Sequence, residues 1–136
     1  MQIFYVTLAA LAPVAVLMWY ICRKDSNQPE PTKLLIKAFL YGVASALLTL
    51  AVVMTFGMLT GFGQELSSTI SGAFTDAFLM AAIPEELAKF VMLWLLLRNN
   101  PYFDEHFDGI VYAVCIGMGF AGFENVLYLF DNYESW

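Results

Sequence analysis

Long apolar runs separated by short polar segments dominate this chain. Four such runs cover about residues 3–22, 34–60, 67–97 and 109–130. A membrane-spanning helix needs about 20 mostly apolar residues, or up to about 25 when it is tilted. Because the runs are continuous rather than alternating, they favour helices over the strands of a barrel. The pattern predicts an all-α protein: residues 1–136 form a single polytopic transmembrane domain with about four spans.

The third run, residues 67–97, is too long for one span perpendicular to the membrane. We expect either that its first part, residues 67–80, lies in the interface or re-enters, or that the helix tilts and kinks at Pro84. Asp76 in the first part favours an interfacial or polar-lined start. The first run is long and has no basic residue before it, so we expect a retained helix rather than a signal peptide.

Composition supports the membrane interpretation. Hydrophobic residues make up 60% of the chain and charged residues only 13%, whereas soluble domains carry about 25% charged residues. The bilayer is therefore the expected surrounding. The chain has no cluster of basic residues of the kind that binds nucleic acid, so a nucleic-acid partner is not expected. Cys22 and Cys115 both lie in apolar runs, which favours small hydrophobic side chains over a disulfide.

The basic residues predict the orientation. Four of them flank the first polar segment: Arg23, Lys24, Lys33 and Lys37. Arg98 begins the third segment, whereas the segment around Glu65 and the C-terminal tail have no basic residue. Cytoplasmic loops carry the excess of lysine and arginine. We therefore expect the first and third segments to be cytoplasmic and both termini to lie outside.

Besides Asp76, three acids lie within the apolar runs: Glu85, Glu86 and Glu124. A charged residue at a helix centre costs about 2.5–3.5 kcal/mol on insertion scales, so these acids need a reason. Glu85 and Lys89 are spaced i, i+4, which predicts an ion pair on one helix face. Counted from the cytoplasmic ends of their spans, Glu85 lies at about 18 Å and Glu124 at about 22 Å. Acids at similar depth can converge on one site.

The fourth run carries small residues at every fourth position, Ala113, Gly117 and Ala121. Such spacing lets helix backbones approach closely in lipid. Glu124 lies on nearly the same face, so we expect it to press against a neighbouring helix, the third span. Asn125 offers amide donors for a developing oxyanion. The same small residues make self-association into a homo-oligomer an expected property.

Three functions remain open from these residues. Two nearby carboxylates can divide the roles of proton acceptor and proton donor, as hydrolysis requires. Alternatively the acids, with Lys89 and Asn125, hold helices together in a non-enzymatic adaptor or regulator. In the third reading, the three acids line the path of a small ion or proton conductor.

A metal site is weakly indicated. His106 lies among acids at positions 104, 105 and 108, but a lone loop histidine is more often solvated. We assign no metal ligand and no cofactor, and a divalent metal stays open.

Two motifs resemble those of the PrsW family of bacterial intramembrane proteases, which is related to CAAX-type prenyl endopeptidases and bacteriocin-processing membrane proteins. The first is a glutamate pair followed by a basic residue, in Glu85-Glu86-Leu87-Ala88-Lys89. The second is a phenylalanine four residues before a glutamate, in Phe120-Ala121-Gly122-Phe123-Glu124. Residues 107–112 and 124–128 also look like the family, so the resemblance covers about residues 81–128.

The resemblance implies packed helices with a glutamate-based proteolytic site. Glu85 and Glu86 would activate water, Glu124 would assist, and Lys89 would hold the first pair in place. The implied substrate is a single-span membrane protein such as an anti-sigma factor, and the implied location is the bacterial cytoplasmic membrane. Members also carry a catalytic histidine on helices after the second motif. Since the sequence ends at Trp136, we expect a truncated form, a short relative, or a site completed by another subunit.

Overall fold

The computed structural model describes residues 2–24, 31–61, 68–103 and 105–132. Its helices, in chain order, are α1 (Gln2–Lys24), α2 (Thr32–Thr60), α3 (Ile70–Ala77), a π-helix (Phe78–Ala82), α4 (Ile83–Leu97) and α5 (His106–Asp131). No strand occurs in these ranges, so the all-α prediction is confirmed. Most of the first polar segment, the segment around Glu65 and the tail after Asn132 lie outside the described residues.

Three helices, α1, α2 and α5, are long and apolar enough to cross a membrane. The third apolar run becomes α3, the π-helix and α4 in direct succession. The N–H of Ile83 donates to the carbonyl of Phe78, five residues back, which is the π-helical pattern. Pro84 follows at once and has no N–H to donate. The third run is therefore one helical segment with an irregular turn directly before the glutamate pair.

Helix α5 is the centre of the fold, since it contacts α1, α2 and α4. Its buried residues recur every three or four positions, which gives one apolar face toward the other helices. The main core cluster draws on all four long segments and consists of Ile21, Ala38, Leu96, Val111, Tyr112, Cys115 and Ile116. This cluster brings together the end of α1, the start of α2, the end of α4 and the first half of α5.

Glycines set the closest helix contact, between α2 and α5. A Cβ atom on Gly42 would lie 2.0 Å from the carbonyl oxygen of Ile116, and one on Gly119 would lie 2.0 Å from the carbonyl oxygen of Phe39. The predicted contact through Ala113, Gly117 and Ala121 is wrong: a Cβ on Gly117 would meet nothing within 4 Å. Positions 117 and 119 are two residues apart on the helix, so they point to nearly opposite faces, about 200° apart. The large core side chains turn the face of Gly119 inward.

Basic and aromatic side chains pair at the core end of the bundle. Arg23 lies over Trp19, Lys24 over Tyr20, Lys37 over Tyr41 and Arg98 over Trp94, with 5.1 to 5.9 Å from cation to ring centroid. All four pairs belong to the helix ends that the core cluster joins. Lysine, arginine, tryptophan and tyrosine gather where a protein passes from lipid to water. This end of the bundle therefore has the chemistry of a membrane interface.

Helix α5 begins three residues earlier than the predicted Gly109, because a capping box starts it. The N–H of Glu105 donates to Oδ2 of Asp108 at 2.9 Å, and the Glu105 side chain accepts from the N–H of Asp108. Two N–H groups at the helix start are satisfied in this way. His106 is the first residue of the helix and is exposed.

Candidate functional site

Glu85 of α4 and Glu124 of α5 line one cavity of about 160 Å³. Both residues are half-buried. The other lining residues are mostly apolar and come from α2, the π-helix and α5: Ala46, Thr49, Leu50, Val53, Met80, Phe120, Leu127 and Tyr128. Two acids that are distant in sequence, and expected at similar depth, thus line one cavity.

Neither carboxylate in the cavity is held by a hydrogen bond or an ion pair among the described residues. No hydrogen bond or ion pair in that part of the chain involves Glu85 or Glu124. The only polar side chain of α2 in the lining is Thr49, whose hydroxyl donates to the carbonyl of Ser45 at 2.9 Å. Two carboxylates in a mostly apolar cavity are thus left available to a water molecule or a substrate group.

The lysine of the first motif pairs with Glu86. The Nζ of Lys89 lies 2.6 Å from Oε1 of Glu86, an i, i+3 pair. The predicted pair of Lys89 with Glu85 is therefore wrong. Both spacings bring side chains together on a helix. The same Nζ also lies 4.5 Å from the centroid of the Phe120 ring.

Glu86 does not line the cavity. Its side chain is 73% exposed, whereas that of Lys89 is 23% exposed. Adjacent helical residues point about 100° apart, so Glu85 and Glu86 cannot face the same cavity from one regular helix. The structure brings Glu85 together with Glu124 and leaves Glu86 on the neighbouring face with Lys89.

Asn125 serves the contact between α5 and α1. Its Nδ2 donates to the carbonyl oxygen of Ala10 at 2.8 Å, and Asn125 is absent from the cavity lining. The expected role as a donor to an oxyanion is therefore not supported by its position. The amide follows Glu124 directly, so it points about 100° away from that carboxylate.

Two wider cavities adjoin the central one and share lining residues with it. One, of about 560 Å³, extends past Glu124 toward Phe130 and Asp131. The other, of about 260 Å³, is apolar and reaches Phe56 and Pro84. The first and the central cavity share Leu50, Glu124, Leu127 and Tyr128, and the second and the central one share Val53 and Met80. Together they form an open cleft along α2 that passes both carboxylates.

Sequence reasoning missed most of the side chains that surround the two acids. Met80 and Thr49 carry no pattern that would place them in a site, because their position depends on how α2 and the π-helix pack. The sequence did indicate that Phe120 lies near Glu124, because it is four residues before that acid and so on the same face of α5.

The described residues do not form a metal site by themselves. A catalytic zinc normally has three protein ligands. Among these residues there is no group of three or more histidine, cysteine, aspartate or glutamate side chains placed to hold a metal ion. His106 lies 18 residues before Glu124 on α5, about 27 Å along the helix. The position of Asp104 lies outside the described residues.

The chain matches a known protein family. Residues 30–135 match the model of a family described as "PrsW family intramembrane metalloprotease". The matched region contains both glutamate motifs and all lining residues of the central cavity. No solved structure matches the chain.

Several curated proteins are similar over nearly the whole chain. Protease PrsW of Geobacillus kaustophilus is 35% identical over 124 residues, which cover 91% of this chain and 52% of that protein. Protease PrsW of Bacillus subtilis is 33% identical over 130 residues, covering 95% and 56%. Protease PrsW of Oceanobacillus iheyensis is 36% identical over 124 residues, covering 91% and 54%. The chain thus spans about half the length of these relatives.

Proposed function

This chain belongs to the PrsW family of intramembrane metalloproteases, and from this membership and its carboxylate geometry we propose that it hydrolyses peptide bonds within or beside the membrane. The observation that carries the proposal is the pair Glu85 and Glu124, which face one cavity from two helices. Carboxylates without protein partners in a largely apolar cavity are suited to moving protons during hydrolysis.

In the proposed reaction one carboxylate of the pair accepts a proton from water while the water oxygen attacks the carbonyl carbon of the substrate. A carbon–oxygen bond forms, and negative charge develops on the former carbonyl oxygen. The same carboxyl group then gives its proton to the amide nitrogen as the carbon–nitrogen bond breaks, leaving a carboxyl and an amino terminus. The other acid of the pair, when protonated, donates a hydrogen bond to the developing oxyanion.

The family description includes a metal ion. Glu85 and Glu124 would supply two oxygen ligands, and the described residues contain no third ligand placed with them. They therefore do not fit a complete metalloprotease site on their own.

Glu86 and Lys89 support the site from the adjacent helix face in this proposal. Their ion pair neutralises a lysine at a depth where an unpaired charge is costly. The assignment of Glu86 as a water-activating residue stays a prediction, and the variants below test it separately from Glu85.

We further propose that the substrate is a single-span membrane protein, such as an anti-sigma factor, and that the chain lies in a bacterial cytoplasmic membrane. The band of paired basic and aromatic side chains supports a cytoplasmic position for the core end of the bundle. The two termini would then lie outside. Residues 113, 117 and 121 do not form the close contact with α2, so self-association through them stays a prediction.

The test is co-expression of the chain with a tagged single-span anti-sigma factor, with cleavage followed by immunoblot. Positioned acid–base groups contribute about 10²- to 10⁴-fold to a rate. We therefore expect Glu85→Gln and Glu124→Gln to reduce cleavage at least about 100-fold. Glu86→Gln should reduce it less, because Glu86 is outside the cavity. Glu30→Gln makes the same change in the first polar segment, outside both motifs, and should leave cleavage intact.

Protease PrsW of Bacillus subtilis, expressed with the same substrate, serves as the positive control. Full cleavage by both Glu85→Gln and Glu124→Gln would contradict the proposed site. If the relative cleaves the substrate and this chain does not, the proposed activity is wrong for this chain, and a non-enzymatic adaptor becomes the better function. Ion conductance of the chain is measured in parallel. If the chain conducts ions, and Glu→Asp variants at both positions keep most of that conductance, the conductor interpretation replaces the protease.

A further inference from the structure

Lys89 is the one basic residue remote from the interfacial end of the bundle. The other five, at positions 23, 24, 33, 37 and 98, lie at or near helix ends. The Lys89 ammonium is fixed by two groups: Oε1 of Glu86 at 2.6 Å and the Phe120 ring at 4.5 Å from its centroid. Phe120 comes from a different helix, and it is only 4% exposed.

Two acids are within reach of this ammonium along α4. Glu86 is three residues before Lys89 and Glu85 is four residues before it, and both spacings permit an ion pair. A cation over the face of an aromatic ring is attracted by the ring quadrupole, most strongly when water is excluded. The flexible side chain of Lys89 therefore keeps its contact with the buried Phe120 ring only in some of its conformations. In the observed conformation, Lys89 pairs with Glu86 and is absent from the cavity lining.

We propose that Phe120 is a positioning residue of the site: its ring holds the Lys89 ammonium at Glu86, and so leaves the Glu85 carboxylate unpaired beside Glu124. The inference rests on the proposed function for its effect on cleavage. Without the ring, Lys89 is free to pair with Glu85 instead. A carboxylate held by an ammonium is a poorer proton acceptor, so hydrolysis slows although both acids are present.

The test weakens the negative charge on the face of the Phe120 ring while the shape of the ring stays nearly the same. Fluorine atoms placed stepwise on the ring of Phe120, by incorporation of fluorinated phenylalanines, weaken the negative face of the ring and hardly change its packing. Cleavage of the tagged anti-sigma factor should fall with each added fluorine, by about two- to thirty-fold in all. Phe120→Tyr and Phe120→Trp should retain cleavage, because they keep an aromatic face. Phe120→Leu should lose cleavage. If Phe120→Leu does not fold, the fluorinated series still tests the proposal.

Lys89→Met provides the matched background, since no ammonium is then available to the ring. In this background fluorination of Phe120 should have no effect on the residual cleavage, as a double-mutant cycle requires for a direct contact. An equal loss with and without Lys89 would show that the ring acts through packing alone, and would overturn the proposal.

A second readout does not depend on proteolysis. Dicyclohexylcarbodiimide modifies carboxyl groups in apolar surroundings, and an ion pair with lysine protects them. Peptide mapping of the membrane-embedded chain should show modified Glu85 with the natural ring, and protected Glu85 with the fluorinated ring. If this pattern appears in a chain that cleaves nothing, the positioning role holds and the proposed protease function fails. If Glu85 modification is the same with both rings, the positioning role is wrong.

Discussion

Replacement of Gly42 by alanine should force α2 and α5 apart. The added Cβ would lie 2.0 Å from the carbonyl oxygen of Ile116, 2.8 Å from its carbonyl carbon and 2.9 Å from the nitrogen of Phe120. All three atoms belong to the backbone, so no side-chain rotation relieves the overlap. The two backbones must separate by about 1 Å before even the shortest of these contacts reaches 3.0 Å.

Two opposing contributions set the expected change in the free energy of unfolding: overpacking and helix propensity. Overpacking typically costs about 1–3 kcal/mol, and a clash with backbone belongs at the upper end of that range. Alanine is favoured over glycine inside a helix by about 1 kcal/mol. We therefore expect Gly42→Ala to lower the free energy of unfolding by about 1–2 kcal/mol. Gly117→Ala makes the same change on α5 where a Cβ meets nothing within 4 Å, so it should be neutral or stabilising by up to about 1 kcal/mol.

Cys115 provides the assay, because it is fully buried in the core cluster near this crossing. In a Cys22→Ser background, a thiol-reactive dye reports the exposure of Cys115 as detergent-solubilised protein is heated. Gly42→Ala should expose the thiol at a temperature several degrees below the parent chain, whereas Gly117→Ala should not. Equal exposure temperatures for Gly42→Ala and the parent, or an equal fall for Gly117→Ala, would refute the assigned helix crossing.

Three further results are expected. Asn125→Leu removes the amide that donates to Ala10 and should lower the free energy of unfolding by about 0.6–1.7 kcal/mol, measured with the same thermal assay. Asp108→Ala removes the side chain that accepts from the N–H of Glu105 in the capping box of α5 and should cost about 0.5–2 kcal/mol by that assay, visible also as lost helicity in circular dichroism. A single cysteine at Asn99 should be labelled by an impermeant maleimide only from the cytoplasmic side and one at Asn132 only from outside; the reverse pattern would contradict the proposed orientation.

Sequence patterns were sufficient for the helices because lipid restricts the choice of backbone structure. Apolar runs of span length predict helices, and the observed α2 and α5 start two and three residues before the predicted spans. The added residues belong to caps and first turns, such as the box between Glu105 and Asp108, where polar side chains continue a helix beyond the apolar run. The pairing of Glu85 with Glu124 was also accessible, because a fixed rise per residue converts sequence position into depth.

Helix rotation was not accessible in the same way. The spacing of residues 113, 117 and 121 resembles a close-packing face, but which face turns inward depends on where the large side chains find partners. Tyr112 and Ile116 are buried against the other helices. They bring Gly119 to α2, and Gly117 is left on the far side. A repeat of small residues within one helix cannot show which face turns inward, because the side chains that decide this lie on the neighbouring helices.

The five polar residues around the site have two kinds of surroundings, and this difference is consistent with the proposed hydrolysis. Asn125 and the pair of Glu86 with Lys89 each satisfy their polar groups within the fold, as adhesion between helices requires. Glu85 and Glu124 gain no such contact in the described part of the chain, although each costs about 2.5–3.5 kcal/mol when charged at the centre of a span. Glu85 and Glu124 are therefore the two acids that remain available for the proposed hydrolysis in the cavity that both line.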